Sequence, residues 1–263
     1  MKFGMPTLVE CKDINECAAV ATECGLDFVE INMSFPQYQP QALDSNLLCE
    51  LTKNHGIGYT IHADEMLNPF DFNDKVSNCY FQVMKETISF AKEINTSVIN
   101  MHLLKGVYVT LPGKVILLND VYFDNYIEKV RQFVRMCEDE IGNSGIKICV
   151  ENVDSNPFTE AQLKALDLML SSDAFALTLD TGHEYCLGFL DSHIFEKYRH
   201  KLAHLHLHDA VGKSAHLPLG DGSVDIKDSI AKLPCDNTCL IEVKTIDGLK
   251  KSINYLRNEG VLS

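Results

Sequence analysis

Eight short apolar runs recur from one end of the chain to the other and alternate with amphipathic segments. Runs of this length predict buried strands, and their alternation with helices predicts parallel pairing through crossover connections. Eight strands are the number that closes such a sheet into a ring, so we expect residues 1–263 to form one α/β domain, a (β/α)8 TIM barrel. The predicted strands are Lys2–Met5, Phe28–Ile31, Gly58–His62, Val98–His102, Ile146–Glu151, Phe175–Asp180, Leu202–His208 and Cys239–Val243.

Helix boundary signals lie between these runs. Asp13 with Glu16 three residues later is typical of a capping box, and Gly25 is typical of the end of that helix. Thr159 with Gln162 predicts a second start of the same kind. The longest and the last predicted helices span Asp120–Ile141 and Asp247–Asn258.

An open, doubly wound sheet would satisfy the same alternation of strands and helices. That fold usually places a glycine-rich phosphate loop after its first strand, whereas this chain has Met5-Pro6-Thr7-Leu8 there. The barrel is therefore favoured, and no organic cofactor is expected.

The connection after the fourth predicted strand is too long for a plain loop. Residues 106–118 carry Pro112-Gly113 between two β-rich runs, which predicts a β-hairpin. The hairpin would rise from the rim formed by the carboxyl ends of the strands. It would either cover that rim as a lid or pack only against neighbouring loops.

Composition narrows the class of partner. The formal net charge of −14 makes nucleic acid an unlikely partner, because such polymers are held mainly by Lys and Arg, while a small-molecule substrate meets no such difficulty. No segment has the roughly 20 apolar residues that span a bilayer, and the N-terminus has no signal-peptide pattern. We therefore expect no membrane contact, a cytoplasmic location, and a monomer or homodimer. The ten cysteines are scattered through predicted helices and strands, which favours reduced thiols in the core.

Potential metal ligands follow the predicted strands. In a barrel of this kind the side chains at the carboxyl ends of the strands converge on one site. Several carboxylates gathered there would raise one another's pKa, and a divalent cation removes that difficulty. Mixed imidazole and carboxylate ligands suit Mn, Co, Fe or Zn. The residues collected at this rim are His62, His102, Glu151, Asp180, His183, His206 and Glu242, with His216 in a following loop.

The seventh predicted strand carries three histidines, His204, His206 and His208, at a spacing of two, so all three are expected to face the barrel interior. Only one of them can lie at the height of the metal, and we assign His206 to it. His204 is then a hydrogen-bonded core histidine and His208 an outer group. Lys244 follows Glu242 on the same face and would either bind an anionic substrate group or neutralise the carboxylates.

Several motifs, in this order along nearly the whole chain, resemble those of the xylose isomerase-like barrel superfamily. They are Gly25–Ile31, Val150-Glu151-Asn152, Leu179-Asp180-Thr181-Gly182-His183, His206-Leu207-His208-Asp209 and His216–Gly222. That superfamily contains sugar and sugar-phosphate isomerases and epimerases and the zinc enzyme endonuclease IV, which cuts DNA at abasic sites.

The resemblance implies roles for particular residues. Glu151, Asp180, His206 and Glu242 match the metal ligands of the keto-sugar epimerases, in which the two glutamates also move the substrate proton and the histidine matching His183 contacts the sugar. Four further positions match the larger zinc cluster of endonuclease IV. By this resemblance His62 and His102 would form a second metal site, and His183 and His216 would form a third site or contact the substrate.

Two departures separate this chain from endonuclease IV. Ser214 stands where that enzyme has an aspartate ligand, and Glu65 lies where its tyrosine packs beside the lesion. The leading hypothesis is therefore a metal-dependent sugar or sugar-phosphate isomerase or epimerase, with catalytic Glu151 and Glu242 and with His183, His216 and Lys244 binding substrate. The alternatives are an endonuclease IV-like zinc phosphodiesterase, a related dehydratase, and a metal-binding barrel without catalysis.

Overall fold

The computed structural model describes residues 1–153, 156–233 and 237–262. Eight parallel strands close into a barrel in the order β1-β12-β9-β8-β7-β4-β3-β2, which confirms the predicted (β/α)8 architecture. The barrel strands are β1 (Lys2–Pro6), β2 (Phe28–Asn32), β3 (Gly58–His62), β4 (Val98–His102), β7 (Lys147–Glu151), β8 (Phe175–Asp180), β9 (Leu202–Leu207) and β12 (Thr238–Ile241). Two hairpins supply the remaining strands, β5 (Tyr108–Leu111) with β6 (Lys114–Leu117), and β10 (Asp209–Val211) with β11 (Ser214–Leu217).

Helices lie between the barrel strands and bury one face against them. They are α1 (Ile14–Cys24), α2 (Ser45–His55), α3 (Asp74–Glu93), α4 (Leu118–Val121), α5 (Phe123–Ile141), α6 (Glu160–Leu170), α7 (Thr181–Cys186), α8 (Ser192–Lys197), α9 (Ile226–Ala231) and α10 (Ile246–Asn258). No helix of the described residues is long and apolar enough to cross a membrane.

The predicted caps fix the starts of two helices. Asp13 accepts a hydrogen bond from the Glu16 amide, as expected, but the Glu16 carboxylate accepts from the Lys12 amide. At α6 both halves of the capping box form between Thr159 and Gln162. These contacts satisfy amide groups that the first turn of a helix leaves without partners.

Several boundaries differ from the sequence prediction by a residue or more, and three differences concern a long helix or a site residue. The helix predicted from Asp120 is interrupted at Tyr122, whose φ of −107° and ψ of 45° separate α4 from α5. Glu242 lies one residue beyond β12, although its position at the rim is as predicted. His216 belongs to β11 rather than to a loop, because Asp209–Val211 and Ser214–Leu217 pair as an antiparallel hairpin.

The barrel interior is polar above a small apolar floor. Val98, Cys149 and Ala176 form a separate apolar cluster, with Val98 and Ala176 near the amino ends of their strands and Cys149 in the middle of β7. The Phe28 ring fills the space beside Gly4, where a Cβ atom would lie 2.3 Å from it. Other interior positions carry buried side chains that can form hydrogen bonds, so this part of the barrel interior is polar rather than apolar. These side chains belong to Glu30, Thr60, Asn100, Thr178 and His204.

The hairpin predicted in the long connection after β4 is confirmed as β5 and β6. Both strands are largely exposed, with Val109 and Val115 exposed to 44% and 58%. The described hairpin strands line none of the cavities described below, so a role as a lid stays a prediction. Cys17, Cys24, Cys137 and Cys149 are buried free thiols, as expected for core-filling cysteines.

Candidate metal centre

A cavity of about 590 Å³ opens at the carboxyl ends of the barrel strands. Its wall takes residues from the ends of β1, β2, β3, β4, β7 and β12 and from the two segments that carry His183 and His216. The alternation of side chains along each strand brings Glu151 and Glu242 to the wall of this cavity. His206 and Asp180 are fully buried next to them.

Glu151, Asp180, His206 and Glu242 each offer a donor atom to one compact group, with these atoms within 4.8 Å of one another. The Nδ1 atom of His206 lies 3.1 Å from Glu151 Oε1, 3.0 Å from Glu242 Oε2 and 3.9 Å from Asp180 Oδ2. Donors bound at about 2.1 Å from one cation would lie about 3.0 Å apart in an octahedron and about 3.4 Å apart in a tetrahedron. The group therefore has the spacing of a coordination shell.

One buried oxygen at this group, Glu242 Oε2, makes no hydrogen bond of good geometry among the described residues, although it lies 3.0 Å from His206 Nδ1. Buried polar atoms are normally satisfied, and a carboxylate oxygen left without a donor is accounted for when it binds a cation. The four residues thus fit a divalent metal in both donor type and unmet bonding capacity.

Glu30 is a residue of this site that the sequence argument did not select. It lies in β2, is 1% exposed, and places Oε1 3.1 Å from Nε2 of His206. Its other oxygen accepts a hydrogen bond from Thr60 at 2.8 Å and lies 3.0 Å from His204 Nε2. A carboxylate beside Nε2 favours the proton on that nitrogen and leaves Nδ1 free to face the ligand group.

His204 is the core histidine that its spacing predicted. Its Nδ1 lies 2.6 Å from Thr238 Oγ1 and its Nε2 faces Glu30, so both ring nitrogens have partners. Burial lowers the pKa of His204, which keeps the ring neutral at the bottom of the site. His204 therefore supports Glu30 and stays outside the ligand group.

A second group consists of His62, His102 and Glu151. Both histidines place Nε2 near Glu151 Oε2, at 3.5 Å for His62 and 3.4 Å for His102. Asn100 also donates a hydrogen bond to this oxygen and accepts one from Thr178 at 2.6 Å. The structure thus brings the predicted second-site residues together around the outer oxygen of Glu151, and whether they hold a second cation stays a prediction.

A third group brings together the rings of His183, His208 and His216. Nδ1 of His208 accepts a hydrogen bond from the His216 amide at 2.9 Å, and its Nε2 lies 2.9 Å from Asp180 Oδ1. Both nitrogens of His208 are therefore occupied, and it holds Asp180 rather than offering a ligand atom. His208 lies just past β9, although the spacing had predicted a place within that strand.

His183 and His216 remain available beside the main group. His216 adopts a φ of 58°, which residues other than glycine seldom occupy, and its Nε2 lies 3.3 Å from Glu242 Oε1. His183 Nδ1 lies 3.2 Å from the Asn152 carbonyl, which leaves the far side of its ring to the cavity. Ser214, the residue in place of a third-site aspartate, is exposed in β11.

The electrostatics of the main group favour a cation. Burial alone would raise the pKa of Glu151 and Glu242, but His206 reverses this and holds both pKa values well below their usual range. Burial would lower the pKa of His206, yet Glu151 and Glu30 raise it well above normal. The field that favours a proton on His206 equally favours a metal ion, which would displace that proton when it binds.

Lys244 lies at the edge of the cavity with Nζ 2.9 Å from Glu242 Oε1. This ion pair agrees with the interpretation that Lys244 neutralises the carboxylates, and its contact with a substrate stays a prediction. Glu65, exposed at the same rim, accepts a hydrogen bond from Asn32 at 3.0 Å. The cavity mouth therefore presents an acidic side chain where a nucleic-acid backbone would have to lie.

The sequence match identifies the family of this barrel. Residues 18–259 match the family described as xylose isomerase-like TIM barrel. The chain belongs to that family. Membership accounts for the position of the site at the carboxyl ends of the strands.

Relatives of this xylose isomerase-like protein cover almost its whole length. An uncharacterized protein of Methanocaldococcus jannaschii is 26% identical over 98% of this chain and 88% of its own. A D-tagatose 3-epimerase-like protein of known structure is 25% identical, with a TM-score of 0.76 and coverage of 99% and 98%. The structure of the IolI protein with a binding zinc atom has a TM-score of 0.73 at 16% identity over 99% and 98%, a likeness in fold.

Proposed function

We propose that this protein is a divalent-metal-dependent isomerase or epimerase of sugars or sugar phosphates. The observation that carries the proposal is that two glutamates in the cavity wall, Glu151 and Glu242, converge on Nδ1 of the buried His206. The similarity to a D-tagatose 3-epimerase-like protein supports a sugar as the substrate class. The zinc atom of the IolI structure supports a metal in a barrel of this family.

The proposed chemistry is a proton transfer between two carboxylates. A divalent cation held by Glu151, Asp180, His206 and Glu242 would supply Lewis acidity to a substrate carbonyl and so acidify the adjacent C–H bond. Glu151 and Glu242 both have a lowered pKa and start as carboxylates. One of them removes the proton from carbon and releases it to solvent. The other, after taking up a proton from solvent, donates that proton to the opposite face or to the neighbouring carbon, so that both end as carboxylates again.

Other residues orient the substrate. His183 and His216 line the same cavity and present ring nitrogens to hydroxyl groups, and Lys244 stands at the rim. Asp180 itself is held by the His183 amide at 2.7 Å and by His208, so the ligand group is rigid before substrate arrives. A preorganised group of this kind places a carbonyl without further ordering of the protein.

Solvent exchange tests the proposal directly. Metal-loaded protein incubated in D₂O with a panel of ketoses, aldoses and their phosphates is expected to incorporate deuterium at one carbon of at least one sugar. The reason is that a carboxylate that removes a proton exchanges it with solvent before returning one. NMR or mass spectrometry reads the label. A complete panel without label or product, with Mn, Co, Fe and Zn each tried, would refute the proposal.

The second group, His62, His102 and Glu151, favours one other candidate, a zinc phosphodiesterase acting on abasic DNA. The acidic mouth with Glu65 and the exposed Ser214 oppose it. We expect the zinc-loaded protein to leave an abasic duplex intact in a nicking assay, because the rim repels the phosphate backbone. Metal-dependent strand cleavage at the abasic site would reverse this choice.

A further inference from the structure

A second cavity of about 330 Å³ adjoins the metal centre. It shares three wall residues with the first cavity, namely Met66, Leu104 and Val153, so the two are neighbours across one wall. Either volume lies within the range of about 300–1,000 Å³ that suits a small organic ligand. We call the second one the annex cavity, and together the two offer room for a substrate longer than one sugar ring.

The annex cavity differs from the metal centre in charge. The metal-centre cavity is lined by Glu30, Glu65, Glu151 and Glu242, and its lysine, Lys244, is paired with Glu242. Among the described residues, the annex cavity has no acidic side chain in its wall and one cation, Lys105. The carboxylates of the metal-centre cavity repel an anionic group on a substrate, and Lys105 in the annex cavity attracts it.

Among the described residues Lys105 contacts an aromatic ring and has no ion-pair partner. It is half-buried, and its Nζ lies 5.1 Å from the centre of the Tyr108 ring. Within the described chain no carboxylate pairs with it. Its backbone carbonyl accepts a hydrogen bond from the buried Asn119 at 3.1 Å, and the following Gly106 has a φ of 75° that lets the chain turn against Asn119.

The other polar groups of the annex wall suit a hydrogen-bonded ligand. The side chains of Asn68 and Tyr80 have no hydrogen-bond partner among the residues that the structure describes. Gln162 is different, because its amide bridges the Leu103 carbonyl and the Thr159 amide and so fixes the wall. Lys105, Asn68 and Tyr80 thus form one cation and two neutral groups, all free to contact a ligand.

We propose that the annex cavity is a substrate subsite for an anionic oxygen group, a phosphate or a carboxylate, at the end of the sugar remote from the reacting carbon, and that Lys105 binds it. The subsite rests on the proposed sugar isomerase or epimerase function. It narrows the substrate class to sugar phosphates or sugar acids. Specificity would then come from the connection after β4, which carries Lys105, while the strand ends supply the chemistry.

Binding of unreactive probes to the metal-loaded protein tests the subsite by calorimetry. The probes are a hexitol, the same hexitol with a terminal phosphate, and the matching aldonic acid, none of which has an aldehyde or ketone group. We expect one anionic probe to bind at least about tenfold more tightly than the hexitol, because a hydrogen bond between charged groups contributes roughly that factor. Lys105→Gln should remove this advantage and leave the hexitol affinity unchanged.

Lys114→Gln is the matched control, because Lys114 is exposed in β6 and lies outside both cavity walls. An advantage for the phosphate that Lys105→Gln abolishes identifies a sugar phosphate, and the same result for the aldonic acid identifies a sugar acid. Equal affinities for the three probes, or an advantage that survives in Lys105→Gln, would overturn the subsite. If neutral sugars exchange with D₂O and no anionic probe is preferred, the proposed function stands and the subsite is refuted. If an anionic probe is preferred but no sugar is turned over, the subsite stands and the proposed function is refuted.

Discussion

Glu151→Gln and Glu242→Gln are each expected to slow solvent deuterium exchange into the sugar substrate by a factor of roughly 10²–10⁴, the range that a positioned acid or base contributes. Glutamine keeps the shape of the side chain and one oxygen donor but cannot accept the proton. Both carboxylates lie within 3.1 Å of His206 Nδ1, so each is in reach of the same substrate carbon. Exchange is measured by mass spectrometry under metal saturation.

Loss of metal must be separated from loss of the base. We expect each variant to bind metal more weakly, so the assay is run at metal concentrations where calorimetry shows the site to be full. His208→Asn serves as the control, because it alters the contact with Asp180 and leaves both glutamates in place. An exchange rate in Glu151→Gln or Glu242→Gln within a factor of three of the control, at full occupancy, would remove that residue from the proton transfer.

The sequence was sufficient for the strand ends because two simple rules coincide there. Short apolar runs identify the strands, and parallel strands in a barrel all end at the same rim. The polar residue that ends each run, such as Asp180, therefore had to lie near the others, whatever the exact boundaries. Glu242 illustrates this tolerance, because it lies one residue beyond β12 and still reaches His206.

The interior hydrogen bonds were harder to foresee. Glu30 stands within an apolar run, Phe28–Ile31, and a charge at an inward position of a buried strand was a usable signal. Its partner could not be read from the sequence, because His206 is 176 positions away and the pairing depends on the closed ring. The hairpin of β10 and β11 was not predicted, because its strands are short and its turn lacks the Pro-Gly pair that identified the hairpin of β5 and β6.

His208 shows that spacing can be informative just beyond the end of a strand. A period of two predicted that His204, His206 and His208 would share one face, with His208 as an outer group. The strand ends at Leu207, yet His208 is buried and its Nε2 lies 3.0 Å from Asp180 Oδ2, which agrees with that assignment. Its second partner, the His216 amide, was not predicted, because that contact depends on the hairpin of β10 and β11.

Glu30→Gln is expected to weaken metal binding by roughly 10–100-fold, the range found for groups that orient a ligating histidine. The change removes the negative charge 3.1 Å from His206 Nε2 and lets the amide present a donor instead. If the ring responds by placing its proton on Nδ1, the nitrogen that faces Glu151 and Glu242 can no longer bind a cation. The dissociation constant is measured by competition with a chromophoric chelator.

Thr60→Val is the matched control for this test. Thr60 donates to the other oxygen of Glu30, and valine removes that hydrogen bond while keeping the shape of the side chain and the carboxylate beside His206. A purely structural role for Glu30 predicts that both variants lose thermal stability and bind metal like the wild type. A role in positioning His206 predicts that only Glu30→Gln loses affinity. It also predicts that ¹⁵N NMR of the metal-free protein shows a changed His206 tautomer at a pH high enough for the ring to be neutral. Because Glu30 contacts His206 rather than Glu151 or Glu242, that result would show that a residue in the interior of the barrel controls metal binding at the site above it.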